Sequence, residues 1–215
     1  MKKDIFIEKV RNLPSFTISQ IYPMFSSHEY ASVFIKRLVK TGSIQKLAYG
    51  IYTTQSDPFI FCTHIFYPSY ISSWNALQYY GLTTQLPGTI TVISWKKAKV
   101  QGVEFIRSRL LFGFTKVRYS NFDVFMATKE KAVIDSIIYN LVPMSDLRDI
   151  LPHLNTGMLQ TYSIRCGKKI ARIVGYLMEL KGLNTQLIRK FISGDRNYVT
   201  VDFPVDRNTW GLRND

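Results

Sequence analysis

The sequence has few of the residues from which metal and catalytic sites are built. It contains two cysteines, Cys62 and Cys166, and three histidines, His28, His64 and His153. Two cysteines cannot form a zinc site alone and are too few for a disulfide scaffold. The histidines lack the H-x-x-x-H and H-E-x-x-H spacings that hold metals. We therefore expect free, buried thiols in a reducing cytoplasm, and no metal.

Long apolar runs and phosphate-binding loops are also missing. No apolar stretch reaches the roughly 18 residues that a membrane span needs. The N-terminal stretch carries Asp4 and Glu8 where a signal peptide is apolar. Neither G-x-x-x-x-G-K-[ST] nor G-x-G-x-x-G occurs, so we expect no nucleotide cofactor. These absences predict a cytoplasmic protein that is not an enzyme and does not associate with membranes.

Acidic residues are scarce relative to basic ones. The chain has 28 lysines and arginines against 15 aspartates and glutamates, which gives a net charge of +13 spread along its whole length. This balance favours a polyanionic partner, nucleic acid first. At 215 residues, 46% of them hydrophobic, the chain can bury a substantial core in one or two domains.

The first 55 residues predict three helices followed by a β-ribbon, the element order of a winged helix-turn-helix domain. The helices are expected at residues 4–12, 18–24 and 27–40. The second and third begin with capping boxes, Thr17 with Gln20 and Ser26 with Glu29. Gly42 ends the third helix, and residues 44–53 form the ribbon with a turn at Gly50.

The third predicted helix has one apolar face and one polar face, as expected of a recognition helix. Short polar side chains near its start can approach base edges, and later cations suit phosphates and guanine. A solvated helix face is the alternative for any one of these residues. The residues predicted to contact DNA are His28, Ser32, Lys36, Arg37 and Lys40 on the helix, with Lys46 and Tyr49 on the ribbon.

Residues 56–215 predict a larger mixed α/β domain, so the expected fold class of the whole chain is α+β. Two helices are expected between residues 58 and 81, and another after Thr128. Strand candidates are residues 89–95, 102–110, 116–127 and 197–203. Further helices are expected at residues 145–153, 164–181 and 183–193.

Two further basic segments lie in the C-terminal part. Each is either a solvated face or a surface that extends DNA contact or holds another acidic partner. The first comprises Lys96, Lys97, Lys99, Arg107 and Arg109, the last two on one strand face. The second comprises Arg165, Lys168, Lys169 and Arg172, on one side of the helix predicted at residues 164–181.

Several stretches, taken in order, resemble a known family. They are "FIKRLVKTGSIQKLAYGIYT", "DPFIF", "SYISSWNALQYYGLT", "ATKEKAVIDSIIY", "ARIVGYLMELKG" and the closing "WGLRND". Together they span nearly all of the chain. They are packing patterns rather than catalytic signatures, and their order and spacing carry the likeness. The chain resembles the AbiEi-type antitoxins and transcriptional repressors of type IV toxin–antitoxin (abortive infection, or phage defence) systems.

The resemblance implies a winged helix-turn-helix domain over residues 1–55 and an antitoxin domain over residues 56–215. It implies binding to inverted repeats in double-stranded DNA at the protein's own promoter, with repression of the operon. The functional partner would be a nucleotidyltransferase-like toxin, counteracted without a stable complex. Family wings often carry arginine just before the glycine, whereas this chain has Ala48-Tyr49-Gly50. We therefore expect the helix to dominate DNA contact.

Two alternatives from other functional classes stay open at this point. The winged-helix-like region could be a protein-interaction module, with the basic C-terminal surface binding an acidic toxin or RNA. The chain could also be an enzyme. That reading would require His64, Asp202 and Asp206 to cluster.

Overall fold

The computed structural model describes residues 2–195, 197–205 and 208–214. Across these residues it has ten α-helices and three β-sheets, which agrees with the predicted α+β class. The chain divides into two compact units. Unit 1 comprises Met1–Ile71, Gly88–Leu111 and Thr115–Met126, and unit 2 comprises Ser72–Pro87, Phe112–Phe114 and Ala127–Asp215. The boundary predicted near residue 55 lies within unit 1.

Unit 1 begins with three helices and a small antiparallel sheet. The helices are α1 (Lys3–Val10), α2 (Ile18–Ile21) and α3 (His28–Lys40), and the strands are β1 (Phe16–Thr17), β2 (Gln45–Ala48) and β3 (Ile51–Thr53). The strand order is β1-β3-β2. The predicted capping box at α2 is confirmed: Gln20 N donates to Thr17 Oγ1 at 3.3 Å, and Thr17 N donates to Gln20 Oε1 at 2.8 Å.

These elements share one hydrophobic core. Phe6 of α1 packs edge-on against Phe16 and Phe34, with ring centroids 5.8 and 5.4 Å apart. The nine buried members of this N-terminal core all lie between Phe6 and Tyr52. Burial of side chains of this size contributes about 1.5–3 kcal/mol each. The first 55 residues therefore hold a core of their own.

The rest of unit 1 is a short helix, α4 (Pro58–Phe61), and a six-stranded mixed sheet. Its strands are β4 (Ser69–Ile71), β5 (Ile90–Ser94), β6 (Ala98–Val100), β7 (Val103–Arg107), β8 (Phe114–Tyr119) and β9 (Phe122–Ala127). The order across the sheet is β6-β7-β5-β4-β9-β8. Strands β5 and β7 run parallel, and β6 pairs antiparallel with β7 at the edge. Phe114 and Ala127, at the ends of β8 and β9, fall in unit 2.

Unit 2 is mostly helical. Its helices are α5 (Ser73–Tyr79), α6 (Lys129–Tyr139), α7 (Met144–Ile150), α8 (Thr156–Arg165), α9 (Lys168–Leu180) and α10 (Gln186–Ile192), and its strands are β10 (Val199–Val201) and β11 (Leu212–Asn214). Trp210 is fully buried beside Gly175 of α9: a Cβ added to Gly175 would lie 2.2 Å from Trp210 Cζ3. Only a glycine fits there.

A buried ion pair lies inside unit 2. Lys131 and Asp135, one turn apart on α6, are both fully buried, and the ammonium contacts Asp135 Oδ1. The hydroxyl of Ser72 donates to Asp135 Oδ2 at 2.8 Å. Lys131 Nζ also lies over the Phe112 ring, 4.9 Å from its centroid. The two charges are thus satisfied by each other and by near neighbours, as buried charges must be.

Several predicted elements differ in detail from the structure. Residues 69–71 form a strand where only helices were expected. This strand was missed because three residues are too few to show a hydrophobic period. Residues 116–127 form two strands, since the chain reverses at Ser120 with φ +52°. The helix predicted at 164–181 begins only at Lys168 (α9); Gly167, with φ +98°, separates it from α8, which ends at Arg165 and was not predicted. The cap of α3 is Ser27 rather than Ser26.

Candidate nucleic-acid interface

Helix α3 is fixed by its cap and by its apolar face. Ser27 adopts an extended backbone, and its hydroxyl accepts from Tyr30 N at 3.1 Å. A cap of this kind stabilises a helix by about 1 kcal/mol. Four residues of the helix are buried in unit 1: Ala31, Phe34, Ile35 and Leu38. With that face buried, the opposite face is held outward.

The outward face of α3 carries three exposed cations, Lys36, Arg37 and Lys40. The guanidinium of Arg37 lies over the Phe34 ring, 5.4 Å from its centroid, which holds its stem against the core. None of the ion pairs found in the described part of the chain involves these three residues. Their charge is therefore available to a polyanion.

The two predicted polar contacts at the start of α3 differ in exposure. His28 is exposed, and its ring lies against Tyr22 with centroids 3.8 Å apart. Ser32 is half-buried. Both lie in the first turn and a half of α3, the part of a recognition helix that meets base edges.

The ribbon formed by β2 and β3, called here the wing, ends in the two-residue turn Tyr49-Gly50. Ala48 pairs with Ile51 across the turn, and Gly50 has φ +71°, a conformation that favours glycine. Tyr49 is 98% exposed at the tip. Lys46 is also exposed, and its main-chain carbonyl accepts from Gln101 Nε2 at 3.3 Å. The wing is therefore tied to the turn between β6 and β7.

The first basic segment lies in unit 1, the same unit as α3 and the wing. All five of its cations are exposed: Lys96, Lys97, Lys99, Arg107 and Arg109. Lys99 pairs with Glu104 at 3.5 Å, and Lys96 Nζ lies 5.2 Å from the centroid of the Phe66 ring. Strand β7 ends at Arg107, so the expected shared strand face with Arg109 is wrong.

The second basic segment lies in unit 2 and is not the continuous face that was predicted. Arg165 ends α8, whereas Lys168, Lys169 and Arg172 belong to α9. Arg172 is 3% exposed and therefore does not belong to a surface. Its guanidinium donates to the main-chain carbonyls of Trp210 at 2.6 Å and of Asp195 at 3.0 Å.

Asp195 neutralises much of this second segment. Its carboxylate lies 3.1 Å from Arg172 and 3.4 Å from Lys168. A hydrogen bond from Asn197 N, together with these cations, lowers the pKa of Asp195 to about 2. The carboxylate is thus ionised at neutral pH. Lys169 and Arg165 are the cations of this segment that remain exposed outside that cluster, Arg165 resting 4.0 Å from the Phe112 ring centroid.

Three residues on α3 and beside the wing were not among those predicted from the sequence. Glu29 and Val33 lie on the outward face of α3, and Val33 is 65% exposed. A helical projection would have found Val33, since it falls on the polar side among cations. Gln101 gave no signal, because its bond to the wing depends on the tertiary fold.

Of the three residues of the enzyme alternative, the two that the structure describes lie in different units. His64 lies in unit 1, where Nε2 contacts the Asp123 carbonyl at 2.8 Å, and Asp202 lies in unit 2. Asp206 lies outside the described residues. No cluster of three His, Cys, Asp or Glu in the described ranges could hold a metal. Both cysteines are free; burial raises the pKa of the Cys62 and Cys166 thiols.

None of the helices in the described ranges combines the length and the apolarity that crossing a membrane requires.

Comparison with known proteins gives a fold and no family. No family model and no curated protein matches the chain. The crystal structure of the RV2827C protein from Mycobacterium tuberculosis is similar in fold, with a TM-score of 0.64 at 11% sequence identity. The similarity covers 98% of this chain and 90% of that chain. At this identity the likeness concerns the fold alone.

Proposed function

We propose that residues 1–55 form a winged helix-turn-helix domain that binds double-stranded DNA, with α3 as the recognition helix. The observation that carries this proposal is the set of three exposed cations on one face of α3, none of them in an ion pair found among the described residues. Lys46 and Tyr49 of the wing supply further contacts. The order of α1, α2, α3 and the wing fits such a domain.

We further propose that the whole chain is a transcriptional autorepressor and the antitoxin of a type IV toxin–antitoxin system. In this role it binds inverted repeats at its own promoter and counteracts a nucleotidyltransferase-like toxin without a stable complex. This part rests on the sequence resemblance. It assigns no catalytic role to the chain, and it assigns the C-terminal residues to toxin neutralisation.

Duplex binding by the full chain tests the DNA-binding role. The probe is a duplex covering the promoter upstream of the protein's own gene, and affinity is measured by filter binding at several salt concentrations. Lys36→Ala and Lys40→Ala should each weaken binding across sequences and reduce the salt slope by about 1, because each removes a phosphate contact. Lys190→Ala, an exposed lysine of α10 in unit 2, is the control and should leave both unchanged.

Two results would count against the proposal. Unchanged affinity and slope for both α3 variants would remove α3 as the DNA-contacting helix. Co-purification of the chain with an adjacent nucleotidyltransferase-like gene product, without duplex retardation, would favour a protein-interaction module instead. Restored growth when the chain is co-expressed with that gene product is the expected result for an antitoxin.

A further inference from the structure

One face of α3 carries two exposed side chains whose presence phosphate binding does not explain. Glu29, Val33, Lys36 and Lys40 are spaced four, three and four residues apart, so they share one face of the helix. Val33 is 65% exposed and takes no part in the N-terminal core. Glu29 is an exposed carboxylate on an otherwise basic face. Neither side chain strengthens attraction to phosphates.

The position of these two residues gives them a different target. Both lie in the first two turns of α3, where a recognition helix approaches base edges. In the major groove, the exocyclic amino groups of cytosine and adenine are the donors that a carboxylate can meet, and cytosine N4 is its usual partner. The thymine methyl is the apolar group there, and it suits an exposed aliphatic side chain.

We infer that Glu29 and Val33 are base-reading residues, with Glu29 accepting from a cytosine amino group and Val33 contacting a neighbouring thymine methyl. This inference rests on the proposed function of α3. It predicts that each half-site of the operator contains a cytosine and a thymine close together. The cations further along the stripe, Lys36 and Lys40, then hold the helix in register by contacting phosphates.

The carboxylate of Glu29 is held ready for such a contact. It accepts from its own main-chain N–H and from the Ser27 hydroxyl, and these bonds lower the pKa of Glu29. The group is therefore ionised at neutral pH and purely an acceptor. A carboxylate has about four lone-pair sites, so two hydrogen bonds leave room for a base amino group. If Glu29 had only a structural role, these two hydrogen bonds would be its only contacts, and replacing it would not change base preference.

Selection of duplexes from a pool with randomised positions distinguishes a base-reading role of Glu29 and Val33 from a structural one. Full-length wild type, Glu29→Gln, Val33→Ala and the control Glu8→Gln are each used to select sequences. Wild type should enrich cytosine and thymine in each half-site. Glu29→Gln should shift the cytosine position to adenine, because glutamine pairs with adenine N6 and N7. Val33→Ala should reduce the preference for thymine. The base preference altered by each of these two variants should change by on the order of tenfold. Glu8→Gln removes an equal charge from α1 and should select the wild-type sequences.

The failure of this inference differs from failure of the proposed function. If the Lys36 and Lys40 variants lose affinity while Glu29→Gln and Val33→Ala both select wild-type sequences, α3 binds DNA but these residues do not read bases. A wild-type pool without sequence preference would overturn the inference as well. Thermal unfolding of each variant shows whether it is folded. Alanine has a higher helix propensity than valine, so Val33→Ala should remain folded. It therefore still tests the inference if Glu29→Gln proves to be destabilised.

Discussion

The side-chain amide of Gln101 donates to the main-chain carbonyl of Lys46, with 3.3 Å between nitrogen and oxygen. This bond joins the turn between β6 and β7 to the wing, and both lie in unit 1. Gln101 has φ +42°, so the turn is tight and its ends are fixed. Lys99 lies two residues before Gln101, on edge strand β6.

Opposite charge changes at one ion pair test whether the β6–β7 turn extends the DNA surface. Lys99→Ala should weaken duplex binding and reduce the salt slope by about 1. Glu104→Gln removes the carboxylate 3.5 Å from Lys99 and should strengthen binding at low salt. Filter binding over a salt series measures both. Equal affinities for the two variants would restrict the surface to α3 and the wing.

Replacing the two adjacent serines before α3 separates the observed cap from the predicted one. Ser27→Ala should destabilise the chain by about 0.5–2 kcal/mol, because Tyr30 N loses its acceptor. Ser26→Ala is the matched control and should change stability by less than about 0.5 kcal/mol, as is usual at an exposed site. Urea unfolding gives both values. A larger loss for Ser26→Ala would contradict the assignment of Ser27.

A helical glycine in unit 2 is required by its neighbour. Gly175→Ala places a Cβ 2.2 Å from Trp210 Cζ3, so the indole or α9 must shift. We expect a loss of about 1–3 kcal/mol, the usual cost of overpacking. Gly157→Ala in α8 is the control, since its Cβ would meet Asn155 Oδ1 at an ordinary 3.4 Å. That change should be neutral or stabilising by up to about 1 kcal/mol, as measured by thermal unfolding.

The buried pair on α6 should show strong coupling. Asp135→Ala removes the carboxylate from the buried Lys131 ammonium and should cost about 3–5 kcal/mol. The double variant Lys131→Met with Asp135→Leu should recover much of that loss, because it removes both charges. Lys181→Met breaks the exposed pair with Asp149, 2.8 Å apart, and should cost less than about 1 kcal/mol. Additive losses for Lys131→Met, Asp135→Leu and the double variant in urea unfolding would contradict the coupling.

The helices of the N-terminal part were predicted well because the sequence signals for them are strong and join residues that are close in sequence. The capping box at Thr17 and Gln20 and the apolar stripe of α3 depend on residues three or four apart. The helix break at Gly167 was missed because its φ of +98° is a property of the backbone, which side-chain spacing does not show. The cap of α3 was misplaced by one residue, since Ser26 and Ser27 are both good caps.

Residues of the candidate site were harder to predict wherever tertiary packing decides. The burial of Arg172 follows from the carbonyls of Trp210 and Asp195, which are distant from it in sequence. The bond from Gln101 to the wing joins residues 55 apart. Exposed cations on α3 were accessible to sequence reasoning, because helical spacing alone separates them from the apolar face.

The confinement of the N-terminal core to residues between Phe6 and Tyr52 has an evolutionary consequence. A single recombination crossover shortly after residue 55 would move this core intact into another gene. The chain passes between unit 1 and unit 2 five times, so no single crossover could transfer either unit whole. Gene fusion can therefore exchange α3 and the wing readily, while the interleaved remainder must be inherited together.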